Sequence, residues 1–130
     1  MKQLNYQTLQ DLNYDGYLLN EAPERVLQFG EGNFMRAFVD FFIDKMNETA
    51  NFNSKVVLVQ PIPKFTTPDV GDFINEQEGL YTLYLRGSEK GEKVDLKRVI
   101  SSVSRCINPY DDFDAVLELA KSDDLEYIVS

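Results

Sequence analysis

A glycine-rich segment, Phe29-Gly30-Glu31-Gly32-Asn33, is the part of the chain whose residue types and spacing best suit chemistry. A glycine at position 30 permits a tight turn after a strand, and a glycine at position 32 lets the backbone approach a pyrophosphate. A helix that begins near Asn33 would direct free N–H groups at the phosphates, and Arg36 in its first turn would add positive charge. The predicted dinucleotide-binding residues are Gly30, Glu31, Gly32, Asn33, Phe34, Met35 and Arg36.

The third position of the usual dinucleotide fingerprint is less typical here. It holds Met35, where glycine or alanine is expected. A tight turn in which the two glycines serve only backbone geometry therefore remains an alternative. Gln60 is a second candidate, because it follows the second predicted strand, where an acid often binds the adenosine ribose. It could equally be an ordinary polar residue at a strand end, so NAD is the expected cofactor with NADP still open.

The sequence offers no catalytic group and no metal site. It contains no histidine and a single cysteine, Cys106, so histidine-based triads and cysteine clusters are excluded for this chain taken alone. No nucleophile is paired with a base. The acidic residues near the carboxyl end are interpreted as a helix start and a solvated rim; they are Asp111, Asp112, Asp114, Asp123, Asp124 and Glu126.

Charge and length limit the possible partners. The net charge of -9, from 22 acidic and 13 basic residues, disfavours nucleic acid. No secretion signal and no apolar run long enough for a membrane helix is evident, so we expect no membrane partner and a cytoplasmic protein. With 130 residues, the chain suits one domain.

Alternating strand and helix signals surround the glycine segment. Residues 25–29 and 55–59 are apolar runs typical of buried parallel strands, and the segment from Phe34 to about Glu48 between them has helical periodicity. The predicted buried face of this helix comprises Met35, Phe38, Val39, Phe42 and Met46, widened by Phe41 and Ile43. The predicted solvated stripe comprises Arg36, Asp40, Asp44 and Glu48.

The remaining segments complete an α/β domain. The opening residues predict an irregular lead-in, and residues 64–79 predict a long loop. Residues 80–85 and 93–107 predict two extended segments of a hairpin-like excursion around the turn 87–91, in which Tyr81 and Tyr84 lie on opposite faces. A helix starts at Asp111 and Asp112, and residues 126–130 begin another buried strand. The predicted apolar face of that helix comprises Phe113, Val116, Leu117 and Ala120.

The segment Arg25–Asp40 resembles the start of the mannitol dehydrogenase family of long-chain, polyol-specific reductases. Residues 56–62, 79–82 and 101–105 extend the likeness over most of the chain. Within the first segment, the residues that match the cofactor signature of the family are Gly30, Gly32, Phe34, Arg36 and Ala37.

This resemblance implies a Rossmann-type NAD(P)-binding domain: a mostly parallel sheet flanked by helices, with a β-hairpin excursion, over residues 1–130. It also implies a helical domain, absent from this chain, that supplies the sugar-acid pocket and a catalytic lysine. The complete enzyme would transfer a hydride reversibly between a nicotinamide cofactor and a keto-hexuronate, whereas the chain alone would bind cofactor without turnover.

Three alternatives stay open at this point. A sister enzyme of the same family, acting on fructuronate or mannitol, would share the fold and the glycine segment. A non-catalytic nucleotide-binding module belongs to another class of function. A methyltransferase that uses S-adenosylmethionine also opens with a strand and a glycine turn, but Arg36-Ala37 after Phe34 favours the dehydrogenase family.

Overall fold

A computed structural model describes residues 2–130, which form a parallel sheet with helices on both faces and a separate hairpin. The parallel sheet has the order β5-β2-β1-β6, and the hairpin consists of β3 and β4. The strands are β1 Glu24–Phe29, β2 Lys55–Val59, β3 Tyr81–Glu89, β4 Glu92–Ile100, β5 Val103–Ile107 and β6 Tyr127–Val129. The helices are α1 Tyr6–Asp11, α2 Asn33–Ala37, α3 Val39–Ala50, α4 Val70–Glu76 and α5 Phe113–Ala120.

The strand order explains where a ligand would bind. The first strand lies between β2 and β6 and runs parallel to both, and β5 runs parallel to β2 on its outer side. The chain therefore leaves β1 in one direction and later returns to its other side. This reversal is the switch point of a Rossmann sheet, and ligands bind there, outside the carboxyl ends of the strands. The predicted Rossmann-type α/β fold is confirmed.

The second strand is the centre of the core. All five of its residues are buried, as its continuous β-branched run predicts for a strand covered on both faces. One cluster, which includes Val56, Leu58 and Ile43 of α3, fills one face of the sheet. The other face is filled by a cluster that includes Val57, Val59 and Leu119 of α5.

The helix predicted from Phe34 to Glu48 is interrupted, and its predicted buried face is confirmed only in part: Ile43 is buried, and Val39 and Phe41 pack against the core. Phe38 separates α2 from α3. Phe38 and Phe42, predicted to be buried, are about half exposed, whereas Asp40 and Asp44, predicted to be solvated, are completely buried. The prediction was wrong because Asp40 and Asp44 have hydrogen-bond partners on β1 and β4 that periodicity cannot reveal.

Two segments predicted to be irregular contain helices. In the opening segment, Asn5 caps α1 by accepting a hydrogen bond from the Thr8 N–H at 2.7 Å, and Leu9 is buried. In the predicted loop of residues 64–79, Asp69 and Asp72 form a capping box that starts α4. Each helix buries few apolar residues, so its periodicity was too weak to stand out against nearby glycine and proline.

The predicted hairpin is confirmed in part. Strands β3 and β4 pair antiparallel from Tyr81↔Ile100 to Glu89↔Glu92, so the turn is only Lys90-Gly91. The predicted second arm, residues 93–107, is split after Ile100: its last part is β5, which pairs with β2 in the parallel sheet. Tyr81 is buried and Tyr84 exposed, as their spacing predicts.

The carboxyl-terminal helix and strand lie where they were predicted, but they expose more apolar surface than was predicted. Asp112 caps α5 by accepting from the Ala115 N–H at 3.1 Å, yet the helix buries Leu119 while Phe113 and Leu117 are exposed. The predicted buried strand at 126–130 is β6, which pairs only with β1 and forms the sheet edge, so Ile128 is exposed. Among residues 2–130, no helix has the length and apolar character to cross a membrane.

Candidate functional site

The predicted site residues meet at the carboxyl ends of β1, β2 and β5. The Gly30 N–H donates to the Val59 carbonyl at 2.8 Å, and the Gln60 N–H donates to the Ile107 carbonyl at 2.8 Å. These two hydrogen bonds continue the sheet ladder one residue past each strand. They place the glycine segment, called the glycine loop below (residues 30–36), beside Gln60 along one edge of the sheet.

The two glycines of the loop differ in backbone conformation. Gly30 has a φ of +124°, which residues with a side chain rarely adopt, so the turn itself requires glycine. Gly32 has a φ of -68° and a ψ of 165°, which any residue adopts. Apart from Gly32 itself and the two residues that adjoin it, no described residue has an atom within 4 Å of the position that a Cβ on Gly32 would occupy. The fold therefore does not require glycine at position 32, and the open space beside it could hold the phosphates of a ligand.

Arg36 forms hydrogen bonds with other residues of the loop. Its Nε donates to the Glu31 carbonyl at 2.9 Å, and its Nη2 donates to Asn33 Oδ1 at 2.6 Å. Its guanidinium also lies 5.4 Å from the ring centroid of Tyr81, whose hydroxyl donates to the Arg36 carbonyl at 2.6 Å. The guanidinium thus holds the shape of the loop and places a positive charge within it.

The rest of the loop is accessible, but its helix is short. Gly32, Asn33 and Phe34 are exposed, and Glu31 and Met35 are half-buried. The Phe34 ring stacks on Phe38 with 5.5 Å between centroids. Because α2 has only five residues, its dipole is weaker than that of the single long helix predicted from the sequence. Any electrostatic attraction for a phosphate would therefore come mainly from the backbone N–H groups and Arg36.

Gln60 has a buried polar atom without a partner. Its side chain is only 6% exposed, and its Oε1 accepts no hydrogen bond from any described residue. It lines a cavity of about 400 Å³ between the ends of β2 and β5 and helix α4. A buried acceptor without a donor is costly, so a ligand hydroxyl that donates to Oε1 would stabilise it.

Four carboxylates line this cavity: Asp69, Asp72, Asp111 and Asp112. They are called the acidic rim below. Lys64 Nζ donates to Asp72 Oδ1 at 2.7 Å and lies 3.2 Å from Asp111 Oδ2, so its charge is already compensated. Asp69 has a buried oxygen, Oδ2, without a hydrogen bond inside the described part of the chain. Burial first, then the negative charges of Glu31, Asp69 and Asp72, raises the pKa of Cys106 to about 12. This surrounding favours a hydroxyl-bearing ligand group over an anionic one.

An apolar groove also lies at this edge of the sheet. It has a volume of about 400 Å³ and could hold a flat aromatic ring. The residues that line it are Phe29, Val59, Pro61, Pro109, Tyr110 and Phe113. Sequence reasoning missed this groove, although a proline after each of β2 and β5 was the available signal.

Two buried residues beneath the loop were also missed. Gln28 Nε2 donates to the Gly30 carbonyl at 3.0 Å and to Asp40 Oδ2 at 3.3 Å. Burial raises the pKa of Asp40 to about 7, although the hydrogen bond from Gln28 and the charge of Arg36 act in the opposite direction. No group of three metal-binding side chains is found in the described residues.

Comparisons with known proteins bear on the family and the fold of the chain. The family described as "Mannitol dehydrogenase Rossmann domain" matches residues 24–129. The chain is 44% identical over 130 residues to the altronate oxidoreductase of Halalkalibacterium halodurans, covering all of this chain and 25% of that protein. It is 44% identical over 125 residues to the altronate oxidoreductase of Bacillus subtilis, covering 94% of this chain and 25% of that protein.

A solved structure has the same fold. The ternary complex of Pseudomonas fluorescens mannitol 2-dehydrogenase with NAD and D-mannitol superimposes with a TM-score of 0.76 at 23% identity, covering 99% of this chain and 26% of that one. The chain therefore spans about a quarter of the length of the relatives it matches.

Proposed function

The chain belongs to the mannitol dehydrogenase family, and from this membership we propose that its glycine loop and Gln60 bind NAD for a sugar-acid oxidoreductase. The observation that carries the proposal is Gly32, a glycine that the fold does not require, facing open space at the switch point of a Rossmann sheet. A structural glycine would show a positive φ or a close neighbour. Gly32 has neither within the described residues.

The site fits the three parts of the adenosine diphosphate half of the cofactor. The pyrophosphate would lie beside Gly32, with Arg36 near its charge and the loop N–H groups as donors. A ribose hydroxyl would donate to Gln60 Oε1, which otherwise has no donor in residues 2–130. The adenine would enter the apolar groove between Pro61 and Tyr110. Each part of the ligand thus meets a surface of matching chemistry.

The nicotinamide half would extend toward β6, on the other side of the switch point. When bound, NAD supplies the hydride chemistry of the reaction. The residues of this chain position the cofactor, and none of them forms a nucleophile and base pair. Turnover would therefore require residues of the longer protein.

For the complete protein, we propose reversible oxidation of altronate to tagaturonate in hexuronate breakdown, with the protein in the cytoplasm. Two altronate oxidoreductases at 44% identity support this substrate class. The alternatives of the same family are fructuronate and mannitol oxidoreductases. The likeness to a mannitol 2-dehydrogenase at 23% identity supports the fold, and it does not favour mannitol as the substrate. A nucleotide-binding module without catalysis would show cofactor binding but no turnover in the longer protein.

The acidic rim supports NAD over NADP. A 2′-phosphate on the ribose would approach Asp69 and Asp72. The two cations that line the cavity, Lys64 and Arg105, are already paired with carboxylates. Like charges in a partly buried site repel each other, so the phosphate would weaken binding. The cofactor would contact this chain, whereas the sugar-acid substrate would contact residues of the longer protein outside this chain.

The test is a titration of NADH, and separately NADPH, into the chain, followed by nicotinamide fluorescence. The wild-type chain should bind NADH more tightly than NADPH. Gly32→Asp should abolish binding, because a carboxylate would fill the space of the pyrophosphate. Gly87→Asp is the matched control, since Gly87 also faces open space but lies on the hairpin strand β3.

Both glycine variants should remain folded, as judged by circular dichroism and urea unfolding. If the folded wild-type chain does not bind NADH, or if Gly32→Asp binds it as tightly as wild type, the proposed pyrophosphate site is wrong. For the complete protein, the rates of NAD reduction with altronate, mannonate and mannitol decide the substrate class.

A further inference from the structure

A chain of hydrogen bonds connects the glycine loop to a carboxyl group inside the protein. Gln28, on β1, is completely buried and its Nε2 bridges the Gly30 carbonyl and Asp40 Oδ2, at 3.0 and 3.3 Å. Asp40 lies in the first turn of α3, and its backbone carbonyl accepts from Ser102 Oγ at 2.7 Å. The turn at Gly30 is therefore held by an amide that is itself held by Asp40.

The orientation of this amide leaves two acceptors unpaired. The Gly30 carbonyl oxygen can only accept, so the amide nitrogen of Gln28 must point at it. Gln28 Oε1 and Asp40 Oδ1 then have no donor within the described chain. An ionised carboxylate with a single hydrogen bond of 3.3 Å is costly to bury. A protonated carboxyl needs fewer donors and supplies one itself.

The surroundings of Asp40 provide little compensation for a negative charge. Arg36, on α2, is the cation that affects it, but the guanidinium donates to Glu31 and Asn33. Tyr81, on β3, donates its hydroxyl to a backbone carbonyl. Gln28 from β1 and Ser102 before β5 are uncharged, and the positive end of α3 acts on Asp40 from its own helix. Burial outweighs the favourable effects and raises the pKa of Asp40 to about 7.

We propose that Asp40 is a positioning residue that holds the glycine loop as a neutral acid, so that dinucleotide binding takes up a proton at this side chain. This inference rests on the proposed function. The pyrophosphate brings two negative charges to the loop, and a like charge disfavours the ionised carboxyl. The proton comes from solvent and goes to a carboxyl oxygen of Asp40. The ionised form must be protonated before the complex reaches its preferred state.

The direction of the pH dependence follows from linkage. Below the pKa of free Asp40, the side chain is already neutral and binding needs no proton. Above about pH 7, the free chain has lost a proton that the complex retains, so affinity falls as pH rises. A shift of one pKa unit on binding corresponds to about a tenfold increase in Kd.

The absence of histidine makes this dependence easy to assign. With no histidine in the sequence, no unperturbed side chain titrates between pH 5 and 8. Lys55, whose pKa burial lowers to about 8, lies at the amino end of β2, away from the loop. Lys55→Met is therefore a control that should leave the pH dependence of binding intact.

The experiment is a titration of NADH into the 130-residue chain from pH 6 to pH 9. We expect the Kd of the wild-type chain to rise about tenfold over this range. Asp40→Asn keeps an uncharged group of the same shape. Its Kd should therefore stay near the value of the wild-type chain at pH 6 and change less than about twofold between pH 6 and pH 9. Calorimetry at pH 7.5 in two buffers with different ionisation enthalpies should show proton uptake by wild type and none by Asp40→Asn.

Three outcomes would overturn the inference. Wild-type binding without pH dependence or proton uptake would leave NAD binding intact and remove the role of Asp40. An Asp40→Asn variant with the same pH dependence as wild type would assign the proton to another group. If the carboxyl ¹³C shift of Asp40 titrates near pH 4 in the free chain, Asp40 is ionised at neutral pH and does not act as a neutral acid. Failure of NADH to bind at every pH would instead contradict the proposed function.

Discussion

Asp44 on α3 and Arg98 on β4 form a buried ion pair that fastens the helix to the hairpin. Arg98 Nε donates to Asp44 Oδ2 at 2.9 Å, and Nη2 lies 2.7 Å from the same oxygen. The other carboxylate oxygen of Asp44 accepts from the Ser101 N–H at 3.0 Å and the Ser101 hydroxyl at 3.2 Å. Both carboxylate oxygens of Asp44 are thus met by donors, one from β4 and the other from the segment that connects β4 to β5.

Removing this carboxylate should unfold the chain more easily. In Asp44→Ala, Arg98 would keep only the exposed partner Glu48, and the Ser101 donors would be left without an acceptor. We expect a loss of about 3 kcal/mol in the free energy of unfolding, at the lower end for a broken buried pair. Urea denaturation followed by circular dichroism measures this loss. A loss below about 1 kcal/mol would mean that the pair is solvated in solution.

The opposite face of α3 should tolerate substitution. Phe42 is 49% exposed, and its main neighbour is the exposed ring of Phe38, with 4.8 Å between centroids. Phe42→Ala should therefore cost about 1 kcal/mol or less in the same urea experiment. If this variant is destabilised more than Asp44→Ala, Phe42 is buried and α3 turns the opposite face to the core.

Lys55 predicts a rise in stability at alkaline pH. Its side chain is 3% exposed, and its Nζ donates to the Ser101 carbonyl and to the Tyr6 hydroxyl. Burial lowers its pKa from 10.5 to about 8, so between these values the unfolded chain binds a proton that the folded chain has released. Stability then increases with pH in this interval, by at most about 1.4 kcal/mol per pH unit.

The contribution of Lys55 is obtained by difference. Urea unfolding of wild type and Lys55→Met at intervals from pH 7 to pH 10.5 separates it from the tyrosines and Cys106, whose pKa values burial raises. The wild-type chain should gain stability relative to the variant as pH rises. Parallel stability curves for the two proteins would contradict the lowered pKa.

Cys106 should react slowly in the folded chain. It is 8% exposed, and its pKa is raised to about 12, so little thiolate is present at neutral pH. We expect a disulfide reagent to modify it on the order of a hundredfold more slowly than in urea. Because it is the single cysteine, the absorbance change reports on this site alone. Equal rates with and without urea would show that the end of β5 opens readily.

The hairpin turn can be improved by one substitution. Lys90 has a φ of 53° and Gly91 a φ of 79°, the backbone of a turn that favours Asn-Gly. Lys90→Asn should stabilise the hairpin by about 0.5 kcal/mol, whereas Gly91→Ala should destabilise it by about 1 kcal/mol. Hydrogen exchange of the β3 and β4 amides measures both changes. Effects of the same sign for the two variants would contradict this turn geometry.

Local signals predicted much of the fold. The buried β2, the strand-turn-helix around Gly30, the helix start at Asp112 and the opposite faces of Tyr81 and Tyr84 depend on neighbouring residues alone. They were predicted correctly because periodicity and backbone preference act within a few residues of the chain. The glycine loop and Gln60 were likewise found from their places after strands, and their role in binding cofactor stays a prediction.

The sequence by itself determined the order strand, turn and helix around Gly30, the buried strand β2 and the helix start at Asp112, because these depend on residues that are close together in the chain. Only the tertiary structure decided that Asp40 and Asp44 point inward, since their burial depends on Gln28 and Arg98, which are distant in sequence. It likewise decided that β5 joins β2 and that Gln60 Oε1 lacks a donor. A polar side chain is buried where other elements supply partners, and periodicity within one helix contains no information about those partners.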